Sequence, residues 1–506
     1  MKAVFRTAFE SLEHRHLMAA DCGVSAVLDS SGLLTISATD DSVAITVERR
    51  GSTISVLQAE VAFSVNKVKA IEVELSHGDD LLQFKYAGKK GAWIGVPVTV
   101  RPGHKNDVFE NTNGKTLYLG GEDESLTINK QGTVKIDGRK PDWFDEHVID
   151  TTLRDRAREL ATDKLLDRQD MIDLFDEVPS SEVVGEARFN SLQTIVANTK
   201  FYKNLDYVQQ LSSNVVNGSV ANFKSQGQPL GNLAIDSEGS QLELLVDKWF
   251  LGLDHPDAVD DNGTRGTYEQ ISGSLFDGAP NMHQINQGAD GDCYFLSGME
   301  SMAIHNPEVI EDMFIINGDG TYTVRFYNEG KPVYVTIDSM LPVVNGHLQY
   351  DDDQRTPHDT SNILWSAFAE KAYCQLAELG WSRPTAQDNA YLAISSGNAA
   401  TVMMQITGRK AEKQCLCMVT AKDVIKAFQN DRPVTFGSKD SPVASDVEGN
   451  HDYALVGYDA STGKFTLFNP WGFHQHHHNP PKPALIEKTW DEIKANFLDW
   501  HVGSKV

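Results

Sequence analysis

Gln287-Gly288-Ala289-Asp290-Gly291-Asp292-Cys293-Tyr294-Phe295-Leu296 sets a glycine-rich turn against an apolar periodic run that continues through Met299, Met302 and Ala303. That pattern predicts a loop entering a helix at Cys293. The first turn of a helix carries unpaired N–H groups and partial positive charge, which favours thiolate over thiol. Cys293 is therefore expected to have a lowered pKa and to act as a nucleophile. Gly291 and Gly288 let the backbone approach a substrate closely, and Asp292 sits at the helix start. The Gln287 amide, with the Cys293 backbone N–H, is predicted to form an oxyanion hole. A buried, inert cysteine is the competing reading.

A thiolate nucleophile needs a base, and the base needs an orienting partner. Gly449-Asn450-His451-Asp452-Tyr453-Ala454-Leu455-Val456 reads as a histidine at the mouth of a strand. Phe465-Thr466-Leu467-Phe468-Asn469-Pro470-Trp471-Gly472 reads as the next strand, after a short turn. Antiparallel pairing would bring His451 and Asn469 side by side. An asparagine can accept the proton of one ring nitrogen without adding negative charge, and Trp471 can shield that bond.

These residues resemble the calpain family of papain-fold cysteine proteases. That family carries Gln-Gly-x-x-Gly-Asp-Cys-Trp, a histidine strand and Asn-Pro-Trp-Gly, in that order. Here Tyr294 replaces the Trp, one extra residue separates Gly449 from His451, and Asn469-Pro470-Trp471-Gly472 matches fully. Val333 to Pro342 is similar to the family's strand pair ending in Leu-Pro, and Leu364 to Tyr373 to its Trp-Ser-Ala helix. The resemblance implies an endopeptidase acting on proteins or peptides. Cys293 would attack the carbonyl, Gln287 would help hold the oxyanion, His451 would protonate the leaving amine, and Asn469 would orient His451. It also implies a two-lobed papain-like core, with a helical lobe carrying Cys293 and an antiparallel sheet carrying His451 and Asn469.

There are departures. Animal calpains place acidic calcium ligands where this chain has Gln284 and Ile363, and the stretch after Gly472 is short and histidine-rich. No cofactor is expected for the core. His474, His476, His477 and His478 are read as a solvated run, Asp351-Asp352-Asp353 as a turn, and Cys415-x-Cys417 as a strand with both faces partly buried. Glu370 and Lys371 are read as a surface pair on a helix, and no metal site is assigned. His283 and His305 lack an asparagine partner motif, so His451 is preferred as base. Two rivals stay open: a catalytically silent binding protein that keeps the fold, and an acyl transferase.

Outward from this region, Asp254 to Gly266 is turn-rich and opens the protease-like part, residues 254–506. Residues 141–253 read as a helical connector: Leu165, Leu166, Met171, Ile172 and Phe175 keep helical spacing, as do Leu242, Leu245, Trp249 and Leu253. Asp163 and Ser180 are candidate caps. Residues 21–140 read as strand, with Val43, Ile45, Val47 and Ile71, Val73, Leu75 alternating. A β-roll or solenoid and a sandwich both fit, and calcium at the turns Asp40-Asp41 and Gly78-Asp79-Asp80 stays open. The fold class is thus multidomain α+β.

Residues 1–20 are similar to a short leader of large planctomycete surface proteins, which would imply export; a frayed terminus is the other reading. Across 506 residues the net charge is −26, which disfavours nucleic acid or anionic membrane as a partner. Five scattered cysteines make a disulfide scaffold unexpected, and no run of about 18 apolar residues is present.

Overall fold

The computed structural model describes residues 23–505, apart from 41, 89–91, 104–105, 121–123, 352–354, 381–387 and 474–479. The leader-like segment, Asp41 of the first acidic turn, Asp352, Asp353 and the run His474, His476, His477, His478 lie outside the described residues. Two compact units form, Met1–Leu166 with Val184–Phe201, and Asp167–Val183 with Tyr202–Val506. The helical stretch 141–253 is divided between them.

In the first unit two six-stranded sheets share one core. Leu33–Ala38, Ala70–Glu74 and Val98–Arg101 run parallel in one sheet; Ala44–Arg50, Leu81–Tyr86 and Asp107–Glu110 run parallel in the other. The chain thus alternates between sheets coil by coil, the solenoid-like arrangement of the two left open, with antiparallel strands at the margins. Period-two alternation turns Ile45, Val47, Ile71, Val73, Val98 and Val100 inward. Two buried carboxylates organise successive turns. Asp80 accepts from the N–H groups of Val43 and Ser76, and Asp107 accepts from those of Asp80 and Gly103. Burial pushes the Asp107 acid up to about 7.

The second unit combines helices, among them Cys293–Ala303, Trp365–Ala377 and Ala399–Thr407, with a six-stranded antiparallel sheet. The sheet runs, in spatial order, Ala411–Cys415, Phe497–Gly503, Val434–Ser438, Asp452–Asp459, Lys464–Phe468, Leu485–Thr489. It wraps one face around Val434, Phe436, Tyr453, Leu455, Leu467 and Trp500.

Several local expectations are corrected. The helix near Met171 is Arg168–Phe175; its cap is Asp167, whose side chain forms a reciprocal box with Asp170, so Leu165 and Leu166 precede it. Asp163 closes a short 3-10 turn, and Gly185 rather than Ser180 begins the next helix. Glu370 and Lys371 are not a surface pair. Every residue of Trp365–Ala377 is buried, Lys371 donates to Asp338 and to the Met340 carbonyl, and Glu370 accepts from the Asp351 N–H. Cys415 ends an edge strand and Cys417 lies in the following turn; both are exposed and the two are joined by a disulfide.

Residues before 254 also complete the second unit. Lys248, fully buried on the helix Gly239–Trp249, is 2.8 Å from Glu378 and donates to Asp254 and to the Lys224 carbonyl. Replacing Lys248 by Met leaves two buried carboxylates facing each other without their cation. The unfolding free energy of this unit is expected to fall by about 3–5 kcal/mol, read from urea titrations followed by tryptophan fluorescence.

Candidate active site

Cys293 begins the helix Cys293–Ala303, and the Asp292 carbonyl accepts the first helical hydrogen bond, from Phe295 N–H at 2.7 Å. The glycine whose smallness matters most in the entering loop is Gly288: a Cβ there would lie 2.2 Å from the Tyr350 carbonyl oxygen. Tyr294 is buried behind the loop and donates to the Ile394 carbonyl at 2.9 Å.

His451 immediately precedes the strand Asp452–Asp459, and Asn469 immediately follows its antiparallel neighbour Lys464–Phe468. The register Ala454↔Phe468 puts both residues at the same end of the ladder. His451 Nε2 lies 2.8 Å from Asn469 Oδ1. Asn469 Oδ1 also accepts the Trp471 N–H at 3.1 Å, which fixes the orientation of the amide. Nε2 therefore carries the proton and Nδ1 is the nitrogen left for exchange. The Trp471 ring sits 5.3 Å from the His451 ring, and Asn469 is fully buried. Ser438, which no sequence pattern marked, exchanges two hydrogen bonds with the His451 backbone. Gly472 has φ +71° and approaches the 285–286 backbone so closely that a Cβ would lie 2.6 Å from the Ile285 carbonyl oxygen. Beside it the Gln287 N–H donates to the Pro470 carbonyl at 2.9 Å, so the loop before Cys293 and the turn after Asn469 are directly joined.

Cys293, Gln287, Gly291, His451 and Trp471 line one cleft of about 740 Å³. His283 stacks on Phe473 and His305 packs against Phe428; neither lines the cleft.

Two features differ from the sequence expectation. The thiol is raised rather than lowered: burial pushes it up, with the Asp452 and Asp292 carboxylates adding to the effect. The half-charge of a helix end does not outweigh the cost of burying a thiolate here. Gln287 Nε2 donates to the Asp290 carbonyl at 2.8 Å and to Asp292 Oδ1 at 3.2 Å. Asp292 is itself part of a buried acid group with Asp290, Asp351 and Glu370; burial and the neighbouring carboxylates keep Asp292 and Glu370 well above the usual carboxylate range. Among the described residues no group of three or more His, Cys, Asp or Glu is spaced to hold a metal ion.

The sequence profile described as calpain family cysteine protease matches residues 267–497. Residues 267–497 are a calpain family cysteine protease domain. Relatives include calpain clp-4 of Caenorhabditis elegans, 26% identical over 210 residues, covering 37% of this chain and 27% of the relative. Calpain-A of Drosophila melanogaster is 33% identical over 134 residues, 25% of this chain and 14% of the relative. Mouse calpain-10 is 30% identical over 169 residues, 31% and 22%. The chain thus spans about a quarter or less of the length of these relatives.

Glu300, buried inside the calpain-like domain on the Cys293 helix, is pushed up to about 8 by burial. Its proton is held more tightly in the folded state than at the ordinary value of 4.5. The stability it contributes is complete below about 4.5 and is lost as pH rises through about 8. Glu300→Gln is expected to flatten the decline of the urea midpoint between these pH values and to be more stable than the native chain at alkaline pH.

Proposed function

We propose that the chain is an endopeptidase that hydrolyses proteins through Cys293, His451 and Asn469 and a covalent acyl-enzyme, on a two-lobed papain-like core. The observation that carries this reading is the pairing of a cysteine at a helix start with an imidazole tethered through Nε2, both lining one cleft. The Cys293 sulfur attacks the scissile carbonyl carbon, its proton passing to His451 Nδ1. The tetrahedral adduct collapses with cleavage of the C–N bond, and His451 delivers that proton to the leaving amine. Water, giving a proton to the same nitrogen, then opens the thioester; the acid leaves and the thiol is restored.

Asn469 holds the ring through both steps, and Trp471 covers that hydrogen bond. The Cys293 backbone N–H and the Gln287 amide stabilise the oxyanion. Gln287 does so by turning its amide from the Asp290 carbonyl toward the cleft. A raised resting thiol fits a site in which substrate or ring movement completes the thiolate–imidazolium pair.

The core is read as working without calcium at the positions animal calpains use. In support, Gln284 Oε1 already accepts from Trp365 Nε1 at 2.8 Å, and the Ile363 side chain offers no ligand atom. Calcium at the solenoid turns remains a separate proposal of this reading, although Asp80 and Asp107 spend their carboxylate oxygens on backbone N–H groups. Protein substrates follow from the endopeptidase reading. No helix among the described residues is long and apolar enough to cross a membrane.

Cleavage of denatured casein by the full chain tests this. Cys293→Ala and His451→Ala are expected to lower kcat/KM by about a thousandfold or more, and Asn469→Ala by less. Unchanged cleavage in Cys293→Ala would remove the reading; no cleavage by the native chain, with Cys293 unreactive, would favour a silent binding protein. Preferential transfer of the acyl group to a lysine-type amine at millimolar concentration, with little free acid released, would favour acyl transfer. Adding EDTA is expected to leave the rate of the native chain unchanged, and a loss restored by calcium would overturn the calcium-independent core.

A further inference from the structure

Part of the cleft is built by residues that precede the stretch matched by the family profile. Asp260, Asn262 and Thr264 line the same cavity as Cys293 and His451, whereas the match begins at residue 267. These residues form a tight turn. Val259 pairs with Arg265, the Asp260 N–H donates to the Thr264 carbonyl at 3.0 Å, and Gly263 reverses the chain with φ +83°. The Asp260 side chain closes the turn from within: its Oδ1 accepts from the N–H groups of Asn262 at 2.9 Å and Thr264 at 2.8 Å. The turn is also tied to the loop that carries Cys293. Gln349 Nε2 donates to the Thr264 carbonyl at 3.1 Å, and the Gln349 carbonyl accepts from the Ala289 N–H at 3.0 Å. Asp260 is therefore fixed in the cleft wall.

That carboxylate has one oxygen to spare. Both hydrogen bonds to it end on Oδ1; Oδ2 makes none and keeps access to the cleft, although the residue as a whole is only 9% exposed. The other acids on the lining are spent. Asp290 accepts from the Gly291 N–H and the Ser395 hydroxyl, and Glu448 is 3.7 Å from Lys482. Among the described residues the basic side chains on the lining are His347 and His451, and it holds no lysine or arginine. Arg265, the nearest cation along the chain, pairs with Asp257 at 2.5 Å and does not line the cleft. A nearly buried, pre-positioned carboxylate with an unfilled acceptor suits an ammonium or guanidinium group brought in by a ligand.

We propose that Asp260 is a specificity residue: Oδ2 takes a lysine or arginine side chain of the bound substrate, so the cleft favours basic segments of proteins. The proposal rests on the reading of this cleft as the place where a peptide binds. The net charge of −26 adds long-range attraction for such segments. Asp260 turns that general attraction into a contact at one position.

The test uses the Cys293→Ala variant of the full chain, which binds without cutting. Fluorescence anisotropy at about 0.15 M salt, where long-range attraction is screened, compares lysine-containing casein peptides with the same peptides in which each lysine is replaced by glutamine. The lysine peptides are expected to bind about fivefold more tightly, and Asp260→Asn to remove the difference. Asparagine keeps an oxygen for the two N–H groups of the turn, so the loop stays in place. Asp261→Asn removes the same charge from the exposed neighbour that does not line the cleft, and is expected to leave the difference intact. Lysine peptides that bind no better than their glutamine counterparts overturn the proposal. So does a preference that survives Asp260→Asn, or one that is lost equally in Asp261→Asn. Digestion of denatured casein by the native chain, with cut sites read by mass spectrometry, separates the two ideas. No cleavage together with an Asp260-dependent lysine preference refutes the protease reading and keeps this one; cleavage without any lysine preference in binding or at the cut sites does the reverse.

Discussion

A single hydrogen bond, His451 Nε2 to Asn469 Oδ1, constrains most of the candidate site. It exists because an antiparallel pairing brings the residue before one strand beside the residue after the next. The bond selects the tautomer, and the tautomer selects the nitrogen available to the cleft. Around it the sheet is built without slack. Trp471 N–H locks the amide, Ser438 holds the His451 backbone, and Gly472 lets the turn sit against the 285–286 backbone. The N–H of Gln287 then ties the loop that carries Cys293 to the same turn.

Electrostatics in this region run against a simple helix-end account. Four buried acids lie behind the loop, and a fifth, Asp452, stands next to the base. Buried carboxylates favour their neutral forms and repel any further negative charge nearby. An activated sulfur must therefore draw on its imidazole partner and on local counter-groups. Lys371, although next to Glu370 in sequence, is spent on Asp338, which is not one of these acids. The helix Trp365–Ala377 is buried on all sides, so its charged residues serve internal hydrogen bonding, not solubility.

Division of the chain follows similar logic. The helix Gly239–Trp249 looks in sequence like part of a connector, yet its Lys248 neutralises Asp254 and Glu378 inside the second unit. A turn-rich stretch such as Asp254 to Gly266 marks a change of composition; where the core ends depends on which side chains are buried together.

The sequence by itself determined the chemical vocabulary: a cysteine at a loop-to-helix junction, a histidine and an asparagine at strand ends, and alternation that buries one face of each N-terminal strand. These depend on spacing over a few residues, which local geometry reads directly. It also carried the family resemblance, which residues 267–497 share with calpain proteases. Only the tertiary structure decided which strands neighbour each other, that Glu370 and Lys371 face inward, and that the solenoid coils through two sheets. It also decided that the thiol is held up rather than down. Each of these outcomes depends on groups far apart in the chain, and the energy of a charge depends on everything packed around it, which no local pattern records.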